Sequence, residues 1–233
     1  MKYEAILFDL DGTLLPMDND KFTKGYFSLL AKAVAHLGYT PDTLIPAMWQ
    51  GVKAMVMNDG TTPNSEAFWK VFSSIFGQKA YDDIPVFDEF YKNGFHKAKE
   101  LTVPTELSKQ IVDEAHKKAE RVIVATNPFF PKVALDTRLS WIGLKTDDFD
   151  LVTDYDNSSF CKPNPNYYKE ILEKFSLNPE NCLMVGNNAD EDIIPAKKIG
   201  LNTYLVTDWL IGDENINCEK GSLKDFYDFL KRG

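Results

Sequence analysis

The sequence predicts a doubly wound α/β fold with a parallel sheet, interrupted early by an all-helical insertion. Three observations predict it. Short continuous apolar runs, such as Ala5-Ile6-Leu7-Phe8 and Val122-Ile123-Val124-Ala125, read as strands buried on both faces. From residue 104 onward such runs alternate with amphipathic stretches, the pattern of parallel strands joined by crossover helices. Between the first strand and that region, residues 16–103 carry helical periodicity alone.

The first strand stops at Phe8 and runs into Asp9-Leu10-Asp11-Gly12-Thr13-Leu14. Residues 21–37 form an amphipathic helix through Phe22, Tyr26, Leu30 and Val34, stopped by Gly38. Asp42 is a candidate cap for a second helix through Leu44, Met48, Val52 and Met55. A third begins at Asn64 or Ser65, carries Phe68, Trp69, Phe72 and Phe76, and ends at Gly77. Residues 87–98 give a fourth. The aromatic residues of this block, from Trp49 to Phe95, fall at helical spacing and should form its own core, with one or two facing a substrate. The stretch Met55 to Gly60 could also reach a cleft.

The alternation then runs as helix 105–119, strand 121–126, helix 131–141 and strand 150–153. It continues through helix 165–175, strand 181–186, helix 191–199, strand 202–206 and helix 223–231. Residues 1–15 and 104–233 are thus assigned to the α/β core, and residues 16–103 to a helical cap above the strand ends. Residues 12–20 and 101–104 are the expected hinges.

Composition narrows the function. Lys and Arg number 26 against 35 Asp and Glu, a net charge of −9. Such a chain has no general field for nucleic acid or anionic lipid. A phosphorylated ligand must then be held by local groups. Three cysteines, Cys161, Cys182 and Cys218, form no CxxC motif or disulfide framework and suit a reducing cytoplasm. No stretch reaches the roughly 20 apolar residues of a membrane helix. The N-terminal apolar run is too short for a signal sequence. His36, His96 and His116 have no zinc-like spacing and receive no catalytic role.

Four groups stand just past predicted strands, at the end of a parallel sheet where chemistry is usually placed. Asp9 and Asp11 lie two residues apart, and two such anions need a cation or a shared proton, unless they belong to a solvated acidic turn. Thr126 and Asn127 read either as phosphate ligands or as a helix cap. Lys162 reads as a site cation or as one more exposed lysine. Residues 186–192, Gly-Asn-Asn-Ala-Asp-Glu-Asp, read as a metal loop or as an acidic helix N-terminus.

Together these motifs resemble the haloacid dehalogenase superfamily of phosphohydrolases over almost the whole chain. Asp9-Leu10-Asp11-Gly12-Thr13-Leu14 matches its first motif in full. Thr126-Asn127 ends the second, Lys162-Pro163 carries the third, and Gly186-Asn187 through Asp192 the fourth. The resemblance implies a Mg2+-dependent phosphatase acting on a small phosphorylated metabolite, with no nucleic acid, membrane or protein partner evident. It makes Asp9 the nucleophile that forms an aspartyl-phosphate, Asp11 the general acid and base, and Lys162 the cation that offsets charge. Thr126, Asn127 and Lys162 would bind the phosphoryl oxygens. Asp9, Asp11 through its carbonyl, Asn187 and Asp192 would hold the metal. The family most often has Asp where this chain has Asn187, which implies either a weaker hold on Mg2+ or an Asp190 that leans in to replace the missing anion, with Asp192 where the family's later acid would fall. Asp11 argues against a haloacid substrate. Lys53 and Lys70 are the cap lysines that a phosphonatase chemistry would need, and neither is marked as buried. A phosphomutase using the same intermediate, or a non-catalytic metal- or partner-binding relative, remains the alternative.

Overall fold

The computed structural model describes residues 3–232. Among them six strands form one sheet: β1 (Tyr3–Phe8), β2 (Ala119–Val124), β3 (Leu151–Val152), β4 (Cys182–Gly186), β5 (Asn202–Val206) and β6 (Glu219–Gly221). Their order is β3-β2-β1-β4-β5-β6, and every pair is parallel. The predicted α/β class is therefore observed.

The alternation of side chains explains why β1 is apolar from Ala5 to Phe8. Ile6 and Phe8 join the core on one face, continuous with the helical insertion. Ala5 and Leu7 pack on the opposite face against Tyr168 and Ile171. Both faces are dry from Ala5 onward, while Glu4, near the start of the strand, stays partly exposed and accepts from the Asn178 amide at 2.8 Å and from Asn181 at 2.7 Å. β1 sits between β2 and β4, and the chain leaves it in opposite directions on the two sides. The residues after β1 therefore stand at the switch point of the sheet, where an open α/β fold leaves a crevice.

The insertion contains α1 (Asn19–Val34), α2 (Pro41–Val56), α3 (Asn64–Phe76), α4 (Lys79–Asp82) and α5 (Ile84–Lys92), then a 3-10 stretch at Gly94–Leu101. Its two connections to the sheet run side by side. The Val103 amide donates to the Pro16 carbonyl at 2.8 Å, and Met17 pairs with Thr102. These residues fall within the expected hinges.

Three local readings are corrected. Thr40, rather than Asp42, is the N-cap of α2, which places Pro41 in the first turn where its missing N–H costs nothing. The expected helix at 87–98 begins earlier, at Ile84, and loses α geometry after Lys92, at Asn93-Gly94. The helix expected at 191–199 is instead a π-helical turn at Ala189–Ile193 followed by a short α-helix at Ile194–Lys198. Strand β6 carried no sequence signal. It is a three-residue edge strand of Glu, Lys and Gly, held to β5 by parallel backbone pairing.

The remaining helices, α6 (Glu106–Lys118), α7 (Lys132–Trp141), α8 (Pro165–Phe175), α9 (Ile194–Lys198) and α10 (Leu223–Arg232), complete the core. No described helix is long and apolar enough to cross a membrane.

In the insertion α2 and α3 pack closely because Gly51 faces the Phe68 ring, and a Cβ there would overlap its edge. Gly51→Val is expected to destabilise the protein by about 2 kcal/mol through overpacking. A lowered urea midpoint with an unchanged slope would register this, and an unchanged midpoint would refute it.

Candidate active site

Asp9 follows β1 directly. Its amide donates to the Val185 carbonyl at 2.8 Å, while the neighbouring Phe8 carbonyl accepts from Ala125 at 2.7 Å. The first residue past the strand is thereby fixed to both flanking strands. The chain then turns tightly: the Gly12 amide donates to Leu15 at 2.9 Å and the Leu15 amide to Leu10 at 2.8 Å. Gly12 takes a φ of 92°, and a Cβ on it would run into the Asn187 side chain. Only glycine meets both demands.

Lys162 comes from the loop before α8 and is 1% exposed. Its ammonium donates to Asp9 Oδ1 at 2.9 Å and to Asp192 Oδ1 at 2.6 Å. Although burial works against its charge, Asp192 and Asp9 hold this ammonium well above the ordinary lysine range. Asp192 is placed by the π-helical turn. The Asn188 side chain caps that turn by accepting from the amides of Asp190 and Glu191 at 3.0 and 3.2 Å. The second Asp192 oxygen accepts from the Asn188 amide at 3.0 Å. Burial pushes the Asp192 carboxyl up to about 7, with Asp9 adding to the rise and Lys162 opposing it. One ammonium between two buried carboxylates leaves a surplus of negative charge.

Asn187 has a structural reason for being an amide. Its Nδ2 donates to the Trp209 carbonyl at 2.6 Å, and its Oδ1 accepts from the Thr13 hydroxyl at 3.1 Å. A carboxylate would set two acceptors against each other at Trp209. Thr13 also donates to Asp9 Oδ2 at 3.2 Å. Asp9 Oδ2 and Asn187 Oδ1 thus converge on one point, and both are hard oxygens of the type that suits a small divalent cation. Among the described residues no three His, Cys, Asp or Glu side chains gather into a metal cluster. Two side-chain oxygens completed by main chain and water are a known way of holding Mg2+.

The structure thus brings Asp9, Lys162, Asn187 and Asp192 together. Thr126 and Asn127 border the same cavity. The Asn127 amide donates to Glu191 at 3.0 Å and its Oδ1 is buried without a partner. Asp190 stays exposed on the far side of the turn. Asp192, rather than Asp190, is the acid that turns inward. Both of its oxygens are engaged by Lys162 and Asn188, so it supports the site through the lysine.

The Asp11 carboxylate has a cation of its own that the sequence reading did not name. Its Oδ2 pairs with Arg138, while its Oδ1 is buried without a partner. Burial raises its pKa, and Arg138 opposes the rise. Sequence reasoning missed Arg138, a fully buried residue of α7 whose guanidinium lies 4.3 Å from the centre of the Phe130 ring. A signal was present. Arg138 stands at core spacing from Ala134 and Leu135, where a charge needs a buried partner.

A cavity of about 270 Å³ opens beside Asp9 and extends under the helices. Trp49, Phe68, Trp69, Phe87 and Tyr91 border it, so the aromatic residues of the insertion serve the cavity more than their spacing suggested. Phe72 and Phe95 are the ones fully enclosed in the core. Phe129, Phe130 and Tyr155 add to the wall from the sheet side, and none was singled out from sequence. The stretch 55–60 does not border the cavity. It docks instead on the loop before Lys162: Asn58 holds Asn64, whose amide reaches the Phe160 carbonyl and the Cys161 sulfur. Lys53, Lys70 and the three histidines are exposed, away from these groups.

A sequence model described as haloacid dehalogenase-like hydrolase matches residues 3–200. The chain is 27% identical over 221 residues to Pyrophosphatase PpaX of Bacillus mycoides, covering 94% of this chain and 91% of that one. It is 37% identical over 75 residues to Glyceraldehyde 3-phosphate phosphatase of Methanothermobacter thermautotrophicus, covering 32% and 33% of the two chains. The crystal structure of a HAD phosphatase from Thermococcus onnurineus superposes with a TM-score of 0.59 at 21% identity, covering 99% of this chain and 98% of that one.

Two outcomes are expected from this geometry. Arg138→Met should cost about 3 kcal/mol by leaving the Asp11 carboxylate without its cation, and the double variant with Asp11→Asn should recover part of that loss. Additive losses in urea unfolding would contradict the pairing. Burial raises the pKa of all three thiols, pushing Cys182 up to about 11 and Cys161 higher still. Cys218 is the one partly exposed. Iodoacetamide at pH 8 should therefore label Cys218 first in the native protein. Fast labelling of Cys161 by mass spectrometry would refute its burial.

Proposed function

The chain belongs to the haloacid dehalogenase-like hydrolase family, and on that premise we propose that it is a Mg2+-dependent phosphatase of a small phosphorylated metabolite. The observation that carries this reading is the ion pair of Asp9 with Lys162 at 2.9 Å, formed between residues 153 positions apart, with Asp9 bordering the cavity. A nucleophilic carboxylate that must approach an anionic phosphoryl group needs such a neighbour. Each unit-charge pair at 4 Å is worth about 4 kcal/mol at an effective dielectric near 20.

In the proposed reaction a carboxylate oxygen of Asp9 attacks phosphorus, forming an aspartyl-phosphate as the bond to the ester oxygen breaks. The departing alkoxide keeps the electron pair and takes a proton from Asp11. Asp11 suits this role through the oxygen that Arg138 does not engage, and burial favours its protonated form. Asp11 then takes a proton from water as that water attacks phosphorus, and Asp9 departs as a carboxylate. Thr126 and Asn127, which border the cavity, are proposed to orient the phosphoryl oxygens, and Lys162, behind Asp9, to offset their charge. Asp9 and Asn187 would hold the metal through side-chain oxygens and Asp11 through its carbonyl, with Asp192 behind them. When bound, a divalent ion there supplies charge neutralisation for the phosphoryl group.

The helices at 16–103 are read as the cap that covers the substrate and excludes water. Three free cysteines agree with a cytoplasmic setting.

Phosphate release from a simple phosphomonoester should require Mg2+, stop with a chelator, and fall by about three orders of magnitude in Asp9→Asn. Activity retained by that variant would assign the reaction to another site or another protein.

A further inference from the structure

The cavity beside Asp9 has two unlike ends. Toward the sheet its wall carries the polar groups of Asp9, Asp11, Thr126, Asn127 and Asn187 beside the rings of Phe129, Phe130 and Tyr155. Toward the helices it is aromatic, with Trp49, Phe68, Trp69, Phe87 and Tyr91. The charged residues that border it, among those described, are all acids, and Asp88 and Glu191 join the three site aspartates. Lys162 and Arg138, the two buried cations of the site, pair with Asp9, Asp192 and Asp11 and do not border the cavity themselves.

This division restricts the organic part of the substrate. The phosphoryl group belongs at the sheet end, beside Asp9. Whatever it is esterified to must then occupy the aromatic end. Flat rings gain there by stacking and edge contacts with the wall. A second anion would instead meet Asp88 with no cation within the wall, in a setting of low dielectric. Beside side chains that can also donate, among them Thr23, Trp49, Trp69 and Tyr91, the helical side presents two acceptors, the Asp88 carboxylate and Asn19 Oδ1, which is buried without a partner. A donor on the ring would satisfy them, and an anion would not. Size agrees. An apolar cavity of about 150 Å³ holds a benzene ring, so about 270 Å³ accommodates one ring system together with a phosphoryl group.

We infer, resting on the phosphatase reading, that the substrate is the phosphomonoester of a small aromatic alcohol with no second anionic group. Pyrophosphate and short polyol phosphates leave the aromatic wall unfilled. Pyrophosphate also brings a further anion into it.

The test compares 2-phenylethyl phosphate, glycerol 1-phosphate and pyrophosphate, each with Mg2+, scored by phosphate release. The first two share an alkoxide leaving group, so their difference reports the cavity and not the chemistry. 2-Phenylethyl phosphate should exceed glycerol 1-phosphate in kcat/KM on the order of 100-fold, the factor that burying one phenyl ring supplies. Trp49→Ala should narrow the gap, and since Trp49 is 50% exposed the change spares the fold. Equal values, or a preference for pyrophosphate, would overturn the substrate class and leave the phosphatase reading standing. No release from any of the three would overturn the phosphatase reading. The ring site would then be judged by binding of 2-phenylethylphosphonate against methylphosphonate, followed by quenching of tryptophan fluorescence. A preference on the order of 100-fold would uphold it, and equal affinity would sink it.

Discussion

One buried ammonium organises this molecule. Lys162 sits between Asp9 at the end of β1 and Asp192 in the turn after β4, and so ties three chain segments to one point. Removing charges from water is costly, and an ion pair at this depth persists only where every oxygen has a partner. The surrounding structure meets that demand. Thr13 serves the second oxygen of Asp9, and the Asn188 amide serves the second oxygen of Asp192. Tyr168 anchors the turn by donating to the Glu191 carbonyl at 2.8 Å. The π-helical widening at Ala189–Ile193 follows from the same need, since it carries Asp192 inward while Asp190 remains outside.

A second buried pair stands beside the first. Arg138 reaches Asp11 from α7, and Phe130 covers the guanidinium. Two cations thus lie behind three site aspartates. The acids face the cavity and the cations do not, which makes the cavity wall anionic even though the site beneath it is nearly balanced. A phosphoryl group entering such a place needs a further positive charge. That requirement supports the proposed divalent ion through charge balance, independently of any resemblance.

The helical insertion combines two duties that its sequence does not separate. Phe72 and Phe95 close its interior, while Trp49, Trp69 and Phe87 turn toward the cavity. All of them recur at helical spacing. Periodicity states that a residue lies on the apolar face of a helix. It does not state whether that face meets another helix or an open space, because both environments select the same side chains. The segment after α2 shows the converse. Asn58 reads as a loop residue and Asn64 as the start of a helix, yet together they fasten the insertion to the loop that carries Lys162.

What the sequence determined by itself was local or periodic. Apolar runs buried on both faces gave the parallel sheet, the Asp9-to-Leu14 turn gave the site's position, and the fourth-motif acids gave its general composition. These signals are legible because strand burial, turn chemistry and residue spacing act within a few residues. The edge strand β6 was not legible, because only backbone pairing with β5 defines it. Asn187 read as a departure from family pattern until the Trp209 carbonyl, 22 residues later, supplied its reason. Arg138 read as one more helix residue, and the direction of the Asp11 carboxylate was invisible without it. Tertiary structure alone decides such pairings, since a buried charge selects its partner by proximity in space, and nothing in the order of residues records which distant segment will arrive there.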